Sequence, residues 1–151
     1  MGEISYLLTS YNKVDYLPSV LDSILVEHSE TGGEIIVIDD GSTDGSLDLC
    51  RQFAADNPAV KLIEQENRGV FAALNRIIPL ASHAWIRLCD SDDPLIYGST
   101  RYLRRLAELR NAAIAYGAAI DYGRSRSMRN ACLCKGRPRR SASSIPMRAV
   151  I

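Results

Sequence analysis

Long apolar runs and closely spaced cysteines are both missing from this sequence. No stretch approaches the ~20 consecutive apolar residues of a membrane-spanning helix, and the N-terminal residues lack the basic and then apolar pattern of a signal peptide. The four cysteines are too few and too scattered for a disulfide framework. We therefore expect a cytoplasmic globular protein with reduced thiols, and its 46% of hydrophobic residues are enough for the core of one domain.

Acidic residues are missing from the last thirty positions. All 18 Asp and Glu lie in residues 1–121, which carry a net charge of −8, whereas residues 122–151 contain eight basic residues and no acid. We expect one domain over residues 1–121 and a basic, irregular tail over residues 122–151. The tail is interpreted either as the poorly ordered end of a truncated chain or as a basic arm that associates with the inner face of a membrane. Aromatic residues do not alternate with the basic ones, so we expect no nucleic-acid partner.

Apolar residues within residues 1–121 alternate between the period of a strand and the period of a helix. Buried strands are predicted over residues 3–10, 34–38, 60–63, 84–88 and 112–116. Helices are predicted between them, with Asp15 as the cap of the first, and with later ones beginning near Gly45, Gly69 and Pro94. Strict alternation requires crossover connections, so we expect an α/β fold with a mainly parallel sheet and flanking helices.

The turn after the first strand contains no glycine. A dinucleotide-binding turn needs G-x-G-x-x-G at this place so that the backbone can approach a pyrophosphate, and the sequence here is Thr9-Ser10-Tyr11-Asn12-Lys13. A Rossmann dehydrogenase is therefore disfavoured. Either Thr9 hydrogen-bonds a nucleoside while the Tyr11 ring stacks on it, or the segment is an ordinary strand-to-helix turn.

Asp39 and Asp40 directly end the second apolar strand. Interpreted as a calcium loop that starts at Asp40, the segment fails because its twelfth position is Arg51, where a Glu is needed. One interpretation is a turn of Asp and Gly, with Asp44 or Ser46 as a helix cap. The other is that Asp39 or Asp40 accepts hydrogen bonds from a base N–H or from ribose hydroxyls, since ligands of α/β sheets bind beyond the carboxyl ends of the strands.

A second acidic cluster, Asp90-Ser91-Asp92-Asp93, ends the fourth strand. Carboxylates at positions i and i+2 of an extended segment project to the same side, so Asp90 and Asp92 can reach one ion. Hard oxygen ligands select Mg²⁺ or Mn²⁺, and Mg²⁺ usually takes one or two protein carboxylates together with substrate phosphates. The cluster therefore predicts a nucleoside diphosphate held through a divalent metal, or else an acidic loop that caps the next helix. Arg68 either contacts phosphate or pairs with nearby acids.

In this order and spacing, these segments resemble the nucleotide-binding half of a family 2 glycosyltransferase with the GT-A fold. The resemblance covers about residues 3–121. It rests on four segments, which are Leu8-Thr9-Ser10-Tyr11-Asn12-Lys13, residues 34–46 around Asp39-Asp40-Gly41-Ser42, Asn67-Arg68-Gly69 with Ala73-Leu74-Asn75, and residues 85–93. Each motif is common by itself, but four in the family's order are specific.

The resemblance implies transfer of a sugar from a nucleoside diphosphate, commonly UDP, to a hydroxyl of a glycan or lipid-linked acceptor, with inversion at the anomeric carbon. Carried over by position, it assigns nucleoside binding to Thr9, Tyr11, Asp39 and Asp40, and Arg68 is added as a candidate contact to the nucleotide. It assigns the diphosphate and a Mg²⁺ or Mn²⁺ ion to Asp90 and Asp92, and the surroundings of the donor sugar to Asp93.

Two departures from the family pattern bear on activity. The usual Ala-x-Gly before the fourth strand is replaced by Ala81-Ser82-His83, so this turn must form without glycine. Family members usually continue into an acceptor half that supplies an acidic general base, and nothing after Asp121 is acidic. The general base is therefore unassigned, and we expect a chain truncated after its donor half.

Two alternatives to a transferase remain open. The first is a non-catalytic, nucleotide-sugar-binding remnant that lacks the acceptor half. The second is a nucleotidyltransferase, which also holds phosphates through metal and acidic groups. That class is expected to carry a loop rich in Gly and Arg or Lys after the first strand, where this chain has Thr9-Ser10-Tyr11.

Overall fold

The computed structural model describes residues 3–117 and, beyond them, two strands at residues 133–134 and 148–150. The strands are β1 (Ile4–Ser10), β2 (Gly33–Asp39), β3 (Val60–Glu64), β4 (Trp85–Asp90), β5 (Ile114–Ala115), β6 (Leu133–Cys134) and β7 (Arg148–Val150). The helices are α1 (Leu17–Thr31), α2 (Ser46–Asp56), α3 (Val70–Ile77) and α4 (Ser99–Arg110), with a short 3-10 turn at Ile78–Leu80. Strands and helices alternate from β1 to α4, as the apolar periods predict.

The described strands form one sheet in the order β3-β2-β1-β4-β7-β5-β6. All neighbouring pairs are parallel except β5 and β6. From β1 the chain proceeds outward to β2 and β3, and then returns to place β4 on the other side of β1. Because the direction of winding reverses there, a crevice opens between the carboxyl ends of β1 and β4. The predicted α/β fold with a mainly parallel sheet and flanking helices is confirmed.

Helices cover both faces of the sheet, which is why its central strands are apolar without alternation. On one face, α1, α2 and α4 pack against the sheet through a cluster that includes Tyr6, Leu8, Ile24, Phe53 and Leu103. On the other face, α3 packs through a smaller cluster that includes Leu7, Ile36, Ile38, Ala73 and Ile77. Burial of a side chain of this size contributes ~1.5–3 kcal/mol, so the two clusters hold the strand ends in register around the crevice.

Helix α4 begins at Ser99 and not near Pro94, where the sequence predicts a helix start. The physical reason is Glu27, a buried carboxylate on α1. Glu27 accepts hydrogen bonds from the backbone N–H groups of Gly98 and Thr100, the second at 2.8 Å. Gly98 has a φ of 75°, which turns the chain into the helix. A side chain from another helix therefore caps α4 and sets its first residue.

Helix α1 also begins differently from the prediction. Asp15 does not cap it: the N-cap position is Tyr16, and no side chain of the described residues makes a capping hydrogen bond there. Pro18 instead lies in the first turn, where its fixed φ suits a helix start and its missing N–H costs nothing.

The turn before β4 forms without the expected glycine because Glu34 holds it. The Glu34 Oε1 atom accepts hydrogen bonds from the hydroxyl of Ser5 at 2.6 Å, and from the N–H and hydroxyl of Ser82 at 2.7 and 2.6 Å. The N–H of His83 in turn donates to the Ser5 hydroxyl at 3.2 Å. Burial acts to raise the pKa of Glu34, but the hydrogen bonds from Ser5 and Ser82 outweigh it and hold that pKa below its ordinary value. An ionised carboxylate therefore takes over the role of the missing glycine.

Beyond α4, the described residues contribute three short strands. β5 is shorter than the strand predicted over residues 112–116. β6 and β7 lie within residues 122–151, the segment expected to be irregular, and β7 pairs with both β4 and β5. The other residues of that segment lie outside the described part, and the division of the chain at residue 121 stays a prediction. Within the described part, no helix has the length and apolar character that crossing a membrane would require.

Candidate functional site

A cavity of about 170 Å³ opens at the carboxyl ends of β1 and β4. Its described lining consists of Thr9, Ser10, Tyr11, Lys13, Asp40, Val70, Ala73, Asp90, Ser91 and Asp92. Parallel pairing aligns Thr9 with Asp90 across the two strands, which brings the first predicted segment against the last. Five of the eight predicted site residues therefore share this cavity, and they are Thr9, Tyr11, Asp40, Asp90 and Asp92. The described lining does not include Asp39, Arg68 or Asp93.

Thr9 and Tyr11 lie on the β1 side of the cavity. Thr9 is buried near the carboxyl end of β1, whereas Tyr11 is 44% exposed. An exposed ring at the edge of a cavity presents a flat face on which a nucleobase can stack.

Asp39 ends β2 and stabilises the turn that follows it. One carboxylate oxygen accepts the N–H of Ser42 at 2.8 Å and the other accepts the Ser42 hydroxyl at 2.6 Å. Asp39 is almost fully buried. Each oxygen keeps one lone pair that no hydrogen bond between described residues uses.

Asp40 holds the loop between β3 and α3 against the cavity. Its carboxylate accepts hydrogen bonds from the Gln65 side chain at 2.6 Å and from the backbone N–H groups of Arg68 at 2.9 Å and Gly69 at 2.8 Å. Burial acts to raise the pKa of Asp40, but these three donors outweigh it and lower that pKa below its ordinary value. Gln65, which completes this arrangement, was not identified from the sequence.

Gly41 allows the two loops to approach each other. A Cβ atom at this position would lie 2.8 Å from the backbone nitrogen of Asn67, and the φ of 77° also favours glycine. The Arg68 side chain is exposed on the same loop. Arg68 is therefore carried on a segment whose position is fixed by Asp40 and by the missing side chain of Gly41.

Asp90 ends β4 and lines the cavity. Among the described residues, its carboxylate has no hydrogen-bond or ion-pair partner. Loss of hydration, followed by repulsion from Asp93 and Asp92, raises the pKa of Asp90 above its ordinary value. A cation placed beside Asp90 would relieve this repulsion.

Asp92 is paired with Lys13, a residue to which the sequence analysis assigns no role. The Lys13 Nζ atom lies 2.6 Å from the Asp92 Oδ2 atom, and the two side chains are 38% and 43% exposed. The ammonium group is also 5.8 Å from the centre of the Tyr16 ring. The only signal in the sequence was a basic residue within the turn after β1, because the contact itself depends on β4 lying beside β1.

The carboxylates of Asp90 and Asp92 suit a hard divalent cation, although two carboxylates do not complete its coordination. Within the described residues, no group of three or more His, Cys, Asp or Glu side chains is arranged to hold a metal ion. Mg²⁺ and Mn²⁺ need fewer protein ligands when a bound diphosphate supplies the others. Asp90, with no partner among the described residues, and Asp92 provide the oxygen donors that such an ion prefers.

The sheet and its helices have the GT-A glycosyltransferase fold. The mannosyltransferase PcManGT from Pyrobaculum calidifontis, in complex with GDP-Man and Mn²⁺, superimposes with a TM-score of 0.69 at 22% identity, over 80% of this chain and 36% of that chain. Residues 1–349 of S. aureus TarS, in complex with UDP, give a TM-score of 0.66 at 20% identity, over 82% of this chain and 37% of that chain.

The chain belongs to glycosyl transferase family 2, whose family model matches residues 5–133. Glycosyltransferase GlyA of Streptococcus pneumoniae is 34% identical over 128 residues, which are 83% of this chain and 18% of GlyA. A PGL/p-HBAD biosynthesis glycosyltransferase of Mycobacterium bovis is 30% identical over 85% of this chain and 56% of its own length. The chain therefore spans between about a fifth and just over half of these two relatives. The predicted family is confirmed.

Proposed function

We propose that this chain forms the donor-binding part of a glycosyltransferase that uses a nucleoside-diphosphate sugar, UDP-linked, and transfers the sugar with inversion to a hydroxyl of a glycan or lipid-linked acceptor. One observation carries the proposal: the cavity at the switch point of the sheet brings Thr9, Tyr11 and Asp40 together with Asp90 and Asp92. Complexes of two proteins with the same fold, one with GDP-Man and Mn²⁺ and the other with UDP, support a nucleotide-sugar ligand.

The nucleotide is assigned to the side of the cavity formed by β1, β2 and the loop after β3. Tyr11 stacks on the base through its exposed ring, and Thr9 and Asp39 offer hydrogen-bonding groups. Asp40 positions the loop from which the Arg68 guanidinium reaches phosphate. An ionised carboxylate suits this positioning role because it accepts several backbone N–H groups at once.

The diphosphate is assigned to the side formed by the end of β4. Asp90 and Asp92 would hold a Mg²⁺ or Mn²⁺ ion, and Asp93, next along the chain, would shape the surroundings of the donor sugar. When bound, such an ion neutralises charge that develops on a departing diphosphate. Loss of hydration and then repulsion from Asp93 and Asp92 raise the pKa of Asp90, and a bound cation would offset that repulsion, which supports this role.

The residue that activates the acceptor hydroxyl is unassigned. General-base catalysis typically increases the rate of a reaction by ~10²–10⁴-fold. The three carboxylates that line the cavity, those of Asp40, Asp90 and Asp92, are all assigned to binding of the sugar donor and its metal ion. Donor binding without transfer or hydrolysis would therefore favour the alternative of a non-catalytic remnant. A nucleotidyltransferase stays the weaker alternative, because the turn after β1 is Thr9-Ser10-Tyr11.

Calorimetric titration of UDP and of GDP, with and without Mn²⁺, tests the proposal. We expect Mn²⁺ to strengthen binding of UDP in the native protein, and to have little effect in an Asp92→Asn variant. Asp22→Asn, an exposed change on α1 outside the cavity, is the matched control and should keep the Mn²⁺ effect. If Mn²⁺ does not change the affinity of the native protein for UDP, the metal assignment is refuted. Assays of sugar transfer and hydrolysis with UDP-sugars then distinguish a transferase from a non-catalytic remnant.

The proposed location is cytoplasmic, with residues 122–151 in contact with the inner face of a membrane. The support is the net charge of +8 on that segment, which favours an anionic lipid surface. Co-sedimentation with vesicles that contain phosphatidylserine, but not with neutral vesicles, is the expected result. Equal recovery with both kinds of vesicle would remove the membrane part of the proposal.

A further inference from the structure

Lys13 and Asp92 form an ion pair at the cavity between segments that are distant in sequence. Lys13 belongs to the turn after β1 and Asp92 to the turn after β4, and their charged atoms are 2.6 Å apart. Among the described lining residues, Lys13 is the only cation, against the three carboxylates of Asp40, Asp90 and Asp92. The ammonium group therefore supplies positive charge where the proposed function requires a metal ion.

The backbone of Lys13 is fixed even though its side chain is partly exposed. Its N–H donates to the Ser46 hydroxyl at 2.9 Å. On either side, the N–H of Asn12 donates to the Ser42 hydroxyl at 3.0 Å and the N–H of Val14 donates to the Asp44 carboxylate at 3.0 Å. The turn after β1 is thus tied to the turn after β2. The flexible part of Lys13 is its four-carbon side chain, which is partly exposed and lines the cavity.

Direct coordination of a divalent ion by Asp92 competes with this ion pair. The Oδ2 atom of Asp92 cannot accept the Lys13 ammonium at 2.6 Å and ligate a metal at the same time without bringing two cations together. A diphosphate in the cavity removes the conflict, because its oxygens give the ammonium another anion to bind. Binding of the diphosphate therefore favours binding of the divalent ion at Asp92, and binding of the ion favours binding of the diphosphate.

We propose that Lys13 is a positioning residue. Its ammonium group neutralises Asp92 when no nucleotide is bound and moves to the diphosphate when the donor binds. A divalent metal therefore binds weakly alone and more tightly after the nucleotide. The inference rests on the proposed function and adds an order of binding to it. Coupling of this kind is reciprocal, so the metal strengthens nucleotide binding by the same factor.

Mn²⁺ binding, followed by the electron paramagnetic resonance signal of free Mn²⁺, tests the inference without any need for turnover. Lys13→Met keeps a side chain of similar length and removes the charge, whereas Lys13→Arg keeps the charge. Lys61→Met, an exposed change on β3 away from the cavity, is the control. Circular dichroism establishes that each variant is folded before titration.

We expect Lys13→Met to bind Mn²⁺ about two- to fivefold more tightly than the native protein when no nucleotide is present, which is the range that a partly exposed ion pair supports. The strengthening of Mn²⁺ binding by UDP should shrink by a similar factor. Lys13→Arg should stay close to the native protein, and Lys61→Met should match it in both conditions.

The possible failures separate the inference from the proposed function. If UDP and Mn²⁺ bind but Lys13→Met leaves the Mn²⁺ affinity unchanged or lowers it, the inference is wrong and the proposed function stands. If the native protein binds UDP but no Mn²⁺ in either condition, the metal assignment and the inference fail together. If it binds neither, the proposed function itself is refuted.

Discussion

At the scale of single residues, buried and half-buried carboxylates join segments that are far apart in the chain. Asp40 accepts the N–H of Gly69, 29 positions away, and Glu34 accepts that of Ser82, 48 positions away. Both acids are ionised in these roles, since hydrogen bonds lower their pKa values despite burial. The loops around the cavity therefore depend on charge as well as on apolar packing.

Replacement of Asp40 by Asn should destabilise the fold. The amide would put an NH₂ group in place of one carboxylate oxygen, so either the N–H of Gly69 or the donors of Gln65 and Arg68 would lose their acceptor. We expect Asp40→Asn to lower the free energy of unfolding by ~1.5–3 kcal/mol, the range for lost hydrogen bonds to a charged group. Urea denaturation at pH 7 measures this change. The exposed Asp22→Asn control should remain within ~0.5 kcal/mol of the native protein, and an equally small effect at Asp40 would contradict its structural role.

Stability should fall in acid because Asp40 and Glu34 bind protons less readily in the folded protein than in the unfolded chain. Their contribution is complete above the ordinary pKa values of 3.8 for Asp40 and 4.5 for Glu34, and it is lost as the pH falls toward their lower folded values. Urea denaturation at intervals from pH 7 to pH 3 should show this decline. Glu34→Gln should flatten the upper part of the decline, and an unchanged slope in that variant would argue against the ionised Glu34.

At the scale of elements, most helices and strands follow from apolar periodicity, but their ends do not. The run from Ile35 to Ile38 predicts β2 because it is buried on both faces. The start of α4 was predicted wrongly because its cap, Glu27, is 71 positions before Gly98. The residues near the start of a helix do not indicate that its cap comes from another helix.

Loss of this cap should weaken the packing of α4 against α1. Glu27→Gln leaves one acceptor for the two N–H groups of Gly98 and Thr100, and it removes a negative charge from the positive end of the helix. We expect a loss of ~1–3 kcal/mol in the free energy of unfolding, measured by urea denaturation. Glu30→Gln, a nearby change on the exposed side of α1, should cost less than ~1 kcal/mol because it only breaks a surface pair with Arg101. Equal effects of the two changes would refute the capping role.

At the scale of the whole molecule, the order of the strands assembles the cavity. The two acidic clusters and the first turn meet only because β1 lies between β2 and β4. The family's motifs were sufficient to predict which segments meet. They were not sufficient to predict the ion pair of Lys13 with Asp92, 79 positions away, since that contact depends on how two turns face each other.

Ligand binding at this cavity should stabilise the whole chain. At concentrations of about 100 times the dissociation constant, UDP with Mn²⁺ should add ~2.7 kcal/mol to the free energy of unfolding, which corresponds to a rise in Tm of roughly 5–10 °C. Differential scanning fluorimetry measures the rise, and EDTA should reverse most of it. Without nucleotide, EDTA should leave Tm unchanged, because Lys13 already balances Asp92. A large EDTA effect on the nucleotide-free protein would contradict that balance.

The turns after β1 and β2 and the loop after β3 are joined in series by hydrogen bonds. The N–H of Thr43 donates to the Asn12 side chain at 2.8 Å, and Asp40 continues the connection to Gly69. In deuterated solvent, we expect the amides of these three irregular segments to exchange as one cooperative unit, instead of one at a time as in separate surface loops. A substitution in any one of these segments should therefore change amide exchange in the other two, including the segment on the opposite wall of the cavity.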